Sequence, residues 1–509
     1  MSSNTNQEPR RLADEKFDVV RFVKITAVLI ISILLWNLPS SVFGIEGLTV
    51  IEQRMISIFA FAALMWITEG VPAWVTSVLI IVVMLFTVSD SSIAMLIDPA
   101  NYQGAAMETI TKSGKEITQL QGLIPYKDII AAFADPTVML FMGGFILALV
   151  ASKSGVDVSL ARIMLKPFGT NSKRVLFGFM LVTAIFSMFI SNTATAAMML
   201  TFLAPVFRTL PENERGRVGL ALAIPIGCNI GGIGTPIGTP PNGIALGALK
   251  DAGFNIGFLD WMIMMVPLML VILIIAWILL LNMYKFKSET LEFKIEGGAR
   301  PGWQTKAIYV VMAMTIALWC LEKVVGINSY VVALFPVGAF TALGIVTSED
   351  IKHIDWSVLW MVAGGFALGT GMKQSGLAKA MVESIPFADF NVFVVLIGAG
   401  LLCWTLSTFI SNSASAALMV PILITVGTGM SEQLAPIGGV VTLVAGLALS
   451  ASFAMALPIS TPPNAIAYST GLVKTSQMAR VGIIMGVIAM TLAYGMLMLF
   501  GSMGIGFFG

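Results

Sequence analysis

The sequence predicts an all-α polytopic membrane protein of about eleven transmembrane helices and two re-entrant hairpins, arranged as two inverted repeats. Three observations carry this. Of 509 residues, 57% are hydrophobic and only 11% charged, against about 25% charged in soluble domains. The mean hydropathy is +0.91, and the apolar runs approach the roughly 20 residues that a membrane span needs. Finally, a polar, helix-breaking motif occurs twice. Residues 186–206 read FSMFISNTATAAMMLTFLAPV, and residues 406–426 read LSTFISNSASAALMVPILITV. Each is followed by a second echo, IGTPPNGIALG from Ile237 and ISTPPNAIAYSTG from Ile459.

The remaining composition excludes other classes. A net charge of +1 with no basic block gives no electrostatic footprint for nucleic acid. Cys228, Cys320 and Cys403 are far apart and form neither a metal spacing nor a disulfide framework. The one histidine, His353, lies in a polar loop and reads as solvated. Residues 1–20 are polar and charged, so no cleavable signal is expected and the first apolar segment stays as a span.

The spans follow in order. A cytoplasmic segment, 1–21, precedes the first span segment, 22–50, whose apolar part is 22–38. Repeat 1 covers 51–284, with spans at 55–68, 71–88 and 138–165 and, between the last two, a polar stretch, 89–134, expected to be a loop with short interfacial helices. Residues 173–209 are about twice a span long, basic at both ends, and carry Ser191-Asn192-Thr193 near the centre. Two basic ends on one stretch place both on the cytoplasmic side, so a hairpin with that tripeptide at its tip is expected. Residues 218–249 form a helix broken by GTPIGTPPNG, and 258–284 complete the half. A polar cytoplasmic linker, 285–304, leads into repeat 2, 305–509. Its spans are 307–322, 330–346 and 358–381, then a second hairpin 391–430, a second broken helix 437–470 and a last span 481–508.

Further echoes align the halves. Trp66-Ile-Thr-Glu69 matches Trp319-Cys-Leu-Glu322, and GGFIL at Gly143 matches GGFAL at Gly364. Glu69 and Glu322 lie near span ends and read as structural or interfacial. Five spans plus a hairpin is an odd number of crossings, so the second repeat enters from the opposite face. Arg10, Arg11, Lys16 and Arg21 put the N-terminus inside. The loops at 166–174, 208–217, 285–300 and 474–480 then also fall inside, and the C-terminus falls outside.

Polar, helix-breaking residues at membrane depth are costly unless they line a cavity, which makes the four loops the candidate site. One such tip is explained by helix packing alone; two in register with two TPPN loops are not. Ser187 and Ser191 are four apart, as are Ser407 and Ser411, a spacing that stacks two hydroxyls on one helix face. Hydroxyl and amide oxygens, with carbonyls freed beside prolines, are the hard ligands a dehydrated Na⁺ takes. The expected sodium sites are Ser187, Ser191, Asn192 and the Gly238 carbonyl, and Ser407, Ser411, Asn412 and the Ser460 carbonyl. Helix N-termini after each tip suit an anion. One carboxylate is expected on Ser191, Asn192, Thr193 and Thr239, and the other on Ser411, Asn412 and Ser413 with Thr461 and Pro462. No Arg, Lys, Asp or Glu occurs in these loops. Bound Na⁺ can therefore supply the compensating charge and then leave, which couples the two solutes. Because site loops from both repeats must stay assembled, 173–284 and 391–509 are expected to move as one transport body against a scaffold of the other spans.

The motifs FISNTATAAMML and FISNSASAALMVP with the paired TPPN loops resemble the divalent-anion/sodium symporter (DASS) family of dicarboxylate, tricarboxylate and sulfate transporters. The likeness runs from about Ile51 to the end. It implies two sodium sites and one carboxylate site between the tips and broken helices, a homodimer, and an elevator mechanism. The second tip departs from the family pattern, with Ser413 where threonine is usual. The expected function is Na⁺-coupled uptake of a C4-dicarboxylate such as succinate, malate or fumarate across the plasma membrane. Citrate or sulfate symport and dicarboxylate exchange are alternatives within the family. A proton-coupled cation antiporter is the alternative from another class, but it calls for an intramembrane acid that these loops lack. No catalytic constellation and no cofactor is expected beyond Na⁺ as coupling ion.

Overall fold

The computed structural model describes residues 18–508 except 103, 113, 114, 292, 294 and 385–389. Arg10, Arg11 and Lys16 of the N-terminal segment and Lys294 of the linker lie outside the described residues. Helices of eight residues or more are numbered in chain order. The first half holds α1 (Val19–Asn37), α2 (Val50–Thr68), α3 (Ala73–Thr87), α4 (Pro136–Ser154), α5 (Val156–Leu165), α6 (Ser172–Ser187), α7 (Asn192–Thr209), α8 (Gly216–Gly232), α9 (Pro240–Asp251) and α10 (Phe258–Met283). The second holds α11 (Trp303–Cys320), α12 (Leu334–Ala342), α13 (Trp356–Gln374), α14 (Leu377–Ser384), α15 (Val392–Phe409), α16 (Asn412–Gly429), α17 (Gly439–Ser452), α18 (Pro462–Ser469) and α19 (Thr475–Met503).

Seven described helices are long and apolar enough to cross a membrane, or eight if a bent pair counts as one span. Of the other expected spans, 71–88 and 330–346 fall on shorter helices, while α11 and α13, 18 and 19 residues long, are less apolar. Residues 138–165 divide at Gly155 (φ +72°) into α4 and α5, and 358–381 divide near Gly376 (φ +93°) into α13 and α14. Both glycines sit in the left-handed region that other residues adopt only at a cost.

The polar stretch 89–134 contains short helices, Ala94–Ile97 and Tyr126–Ala131, as expected. It also contains an antiparallel ribbon, β1 (Met107–Lys112) paired with β2 (Lys115–Leu120), which was not expected. METITK and KEITQL cluster β-branched residues, Thr109-Ile110-Thr111 and Ile117-Thr118, between charged and amide side chains; with no two-residue period to mark them, they are easily taken for loop in so polar a segment.

Helix starts match between the halves. Asn171 caps α6 by accepting from the Lys173 and Arg174 N–H groups, and Asn391 caps α15 by accepting from Phe393 and Val394. Ser191 and Ser411 cap α7 and α16, accepting from Ala194 N at 3.3 Å and Ala414 N at 3.2 Å. Such caps contribute about 1 kcal/mol each. Prolines open α9 and α18, where the missing N–H has no intrahelical partner to lose.

The two halves are interleaved. Helix α3 packs along α13, and α12 packs along α4. The glycine pairs make this possible. A Cβ on Gly143 would stand 2.1 Å from the Ala333 carbonyl oxygen, and one on Gly364 would stand 2.3 Å from the Ser77 Cβ. Helix α9 lies against α16 and α17, while α18 lies against α7 and α8. Each broken helix thus sends its second arm onto the other half's hairpin.

Polar contacts close both ends of the bundle. At one end the linker folds back on the first half. Arg162 Nε donates to Ile295 O at 3.1 Å, Ser172 N to Glu289 O at 2.9 Å, and Lys287 N to Glu214 Oε1 at 2.9 Å. At the other end, beyond the 26-residue α10, Lys323 pairs with Asp260 at 2.7 Å and Lys373 Nζ donates to Asp251 O at 3.0 Å. Glu322 accepts from Phe258 N at 3.2 Å, a structural contact at the start of α10.

Candidate functional site

Both tripeptides fall at breaks between helices, as the sequence requires. Helix α6 ends at Ser187 and α7 begins at Asn192; α15 ends at Phe409 and α16 begins at Asn412. The expectation that Ser187 and Ser191 stack on one helix face is not met. Ser191 has left the helix to cap α7, and Ser411 does the same for α16. Capping draws each hydroxyl onto the N–H groups of the following turn, which breaks the four-residue stacking.

In the first half three of the four expected groups, Ser187, Asn192 and the Gly238 carbonyl, lie together, while Ser191 caps α7. The fully buried Ser187 hydroxyl donates to the Asn192 side-chain oxygen and, at 3.0 Å, to the Cys228 carbonyl of α8. Gly232 fits against the same amide. A Cβ there would stand 3.2 Å from both Asn192 side-chain polar atoms and 3.2 Å from the Gly238 carbonyl oxygen. Ser187 Oγ, Asn192 Oδ1 and Cys228 O share one proton, and Gly238 O lies beside them. A cluster so rich in oxygen and so poor in hydrogen suits a hard cation. Cys228 O was not foreseen, because nothing local in an apolar helix marks a carbonyl as free.

The second half holds equivalent groups in a different state. Ser407 Oγ and Asn412 Oδ1 are both buried and, among the described residues, neither has a hydrogen-bond partner. Ser460 is tied to the adjoining residue, its hydroxyl donating to the Thr408 carbonyl at 2.8 Å and accepting from Leu457 N at 3.1 Å. In the first half the Thr235 hydroxyl donates to the Met188 carbonyl instead. The end of each hairpin's first arm is therefore bonded by a hydroxyl of the facing broken helix, from different loop positions.

Two asparagines that the sequence reading passed over hold the broken helices in shape. Asn242 Nδ2 donates to Ile233 O at 3.4 Å and Thr235 O at 2.8 Å, as well as to Gly232 O at 3.1 Å. Asn464 Nδ2 donates to Met455 O and Leu457 O, both at 2.9 Å. In each half the TPPN asparagine thus spans the break and satisfies carbonyls that the lost helix leaves open. The repeated N of TPPN was the available signal.

Thr239 and Thr461 stand at the N-caps of α9 and α18, each 4% exposed. Thr461 Oγ1 accepts from Asn464 N at 3.4 Å and from Asn229 Nδ2 at 3.3 Å, which leaves its own proton to give. Thr193, Ser411 and Pro462 are exposed, while Ser413 is half-buried. Helices α9 and α18 each begin with two prolines, which carry no N–H, so the backbone donors of these loops lie at the starts of α7 and α16, where no fixed charge stands.

A family model described as citrate transporter matches residues 63–443. The chain is 30% identical over 437 residues to sodium-dependent high-affinity dicarboxylate transporter 3 of Caenorhabditis elegans, covering 73% of this chain and 75% of that one. It is 27% identical over 491 residues to the sodium-dependent dicarboxylate transporter SdcS of Staphylococcus saprophyticus, covering 89% and 87%. Among solved structures, the fold resembles that of MtrF from Neisseria gonorrhoeae, an antimetabolite efflux pump. The TM-score is 0.53 at 14% identity, over 84% of this chain and 95% of that one.

Proposed function

The chain belongs to the citrate transporter family, with sodium-dependent dicarboxylate transporters among its relatives, and from that premise we propose that it carries out Na⁺-coupled uptake of C4-dicarboxylates such as succinate, malate or fumarate. The observation that carries this reading is the pair of oxygen clusters at the two helix breaks. Ser187, Asn192, Cys228 and Gly238 offer oxygens on one side, and Ser407 and Asn412 offer unpartnered oxygens on the other. The first sodium site is Ser187, Asn192 and the Gly238 carbonyl with the neighbouring Ser191; the second is Ser407, Asn412 and the Ser460 carbonyl with Ser411. The carboxylates rest on Ser191-Asn192-Thr193 with Thr239, and on Ser411-Asn412-Ser413 with Thr461 and Pro462. The free Thr461 proton and the N-termini of α7 and α16 supply donors. With no basic side chain in the loops, the dianion is held only while Na⁺ is present, and that mutual dependence is the coupling.

Exchange of packing partners between the halves supports two inverted repeats in which 173–284 and 391–509 form one transport body. The remaining spans form the scaffold, the N-terminus is cytoplasmic, the C-terminus is outside, and the assembly is an elevator-type homodimer in the plasma membrane. Citrate stands second as substrate, favoured by the description of the family model. Uptake of radiolabelled succinate into proteoliposomes under an inward Na⁺ gradient tests the reading. Accumulation should be lost when choline replaces Na⁺ and should be competed by malate and fumarate more strongly than by citrate. Equal uptake without Na⁺, or indifference to all dicarboxylates, overturns it.

A further inference from the structure

Asn229 is an amide in the last turns of α8, 2% exposed and surrounded by apolar residues. Its side chain does not serve its own half. Asn229 Nδ2 donates to Thr461 Oγ1 and to Asn464 Oδ1, both at 3.3 Å, and so reaches across to the broken helix of the second half. The residue before it supplies the Cys228 carbonyl that accepts from Ser187, the hydroxyl bonded to Asn192. Two residues further along, Gly231 is pressed against α6, its hypothetical Cβ 2.3 Å from the Ala184 carbonyl oxygen. Two adjacent residues therefore face two different places. The carbonyl of one touches the first oxygen cluster, and the side chain of the other holds the threonine that caps α18.

We propose that Asn229 is a positioning residue that couples cation binding in the first half to anion binding at Thr461 in the second. The inference rests on the sodium and dicarboxylate reading of the site given above. A cation entering the first cluster competes with the Ser187 proton for the Cys228 and Asn192 oxygens, and shifts the α8 backbone at Cys228. The Asn229 amide moves with it. Because Asn229 is a donor to Thr461 Oγ1, it leaves that hydroxyl's own proton free for an incoming carboxylate. If Asn229 loses its grip, Thr461 can turn that proton onto the Asn464 side-chain oxygen instead. The coupling is reciprocal by linkage, so a bound dicarboxylate tightens Na⁺ by the same factor. The halves are not equivalent in this respect, since α17 carries Ala451 where the aligned TPPN motifs put the counterpart of Asn229.

The experiment measures ligand-induced thermal stabilisation of the purified full-length protein, titrating succinate at several Na⁺ concentrations and Na⁺ at several succinate concentrations. The wild type should show each ligand raising the apparent affinity for the other by about tenfold or more. Asn229→Ala should still bind each ligand, with the mutual factor falling towards one. Asn229→Asp keeps the shape but loses the donor when ionised and regains one when protonated, so its coupling should return as pH falls. A merely structural role would not produce that pH dependence. Undiminished coupling in Asn229→Ala, or coupling in Asn229→Asp that ignores pH, overturns the proposal. A wild type that responds to neither Na⁺ nor any dicarboxylate overturns instead the functional reading beneath it. Should Asn229→Ala fail to fold, the pH response of Asn229→Asp decides alone.

Discussion

Asn242 Nδ2 donates to the Thr235 carbonyl at 2.8 Å, across the gap where α8 stops and α9 starts. Asn464 makes the matching bond to Leu457 O at 2.9 Å. These amides replace the helical N–H groups missing at the break, so Asn242→Ala and Asn464→Ala leave buried carbonyls unpaired. Each should lower stability by about 1–3 kcal/mol, read as a drop in unfolding temperature in detergent. Wild-type stability in both variants would mean that the breaks are held by packing alone.

The two tips should respond differently to loss of their asparagine. Asn192 is bonded to Ser187, whereas Asn412 Oδ1 has no partner among the described residues. Without Na⁺, Asn192→Ala should cost about 1 kcal/mol and Asn412→Ala almost nothing. Both should weaken sodium activation of transport, because each removes an oxygen ligand. Sodium activation unchanged in both variants would sink the assignment of the two sites.

On the proposed reading, tip chemistry sets substrate choice. Ser413 is half-buried and Thr193 exposed beside their capping serines. Thr193→Ala and Ser413→Ala should raise the half-saturation for succinate while leaving the unfolding temperature in place. Ser413→Thr adds one methyl and should shift preference among dicarboxylates by ~1–3 kcal/mol. Competition assays with malate, fumarate and citrate read this directly.

Sidedness can be checked at two exposed positions, Asn213 after α7 and Ser431 after α16. If the repeats are inverted, single cysteines there should label from opposite faces of the membrane. Labelling from the same face would refute the arrangement.

Outside the spans, Asp350 is drawn down to about 2 by hydrogen bonds from Lys153 and from the Thr347 side chain and backbone. A depressed carboxylate stabilises the fold above its ordinary value of 3.8, and that contribution fades as pH falls towards 2. The pair is solvent-exposed on the lysine side, so its worth is at most about 1 kcal/mol. Asp350→Asn should therefore unfold slightly sooner than wild type at pH 7, with the gap closing between pH 4 and pH 2.

Much of this was legible in the sequence because membrane helices make their interruptions conspicuous. Asn-Thr and Pro-Pro inside apolar runs located the four loops, and Ser191 and Ser411 fell at the breaks. The glycine pairs at Gly143 and Gly364 were visible as echoes, but not as points where one half's helix meets the other's. Asn229 carried no signal, since its partners lie 232 and 235 residues away. The difference between Ser187, bonded, and Ser407, unpartnered, was equally hidden. The local strings are nearly the same, and only packing distinguishes them.

The interleaving of the halves also bears on synthesis. Helix α9 rests on α16 and α17, and α7 receives α18, so the first half emerges from the ribosome with its TPPN loop and hairpin uncovered. Those surfaces carry Asn229, an amide whose partners Thr461 and Asn464 belong to the second half. The packing of the first half should therefore stay incomplete until roughly residue 470 has been made. A fragment ending in the linker should be degraded when expressed alone, yet be rescued when the second half is supplied as a separate chain. The site should then be among the last parts of the molecule to form, with only α19 still to follow.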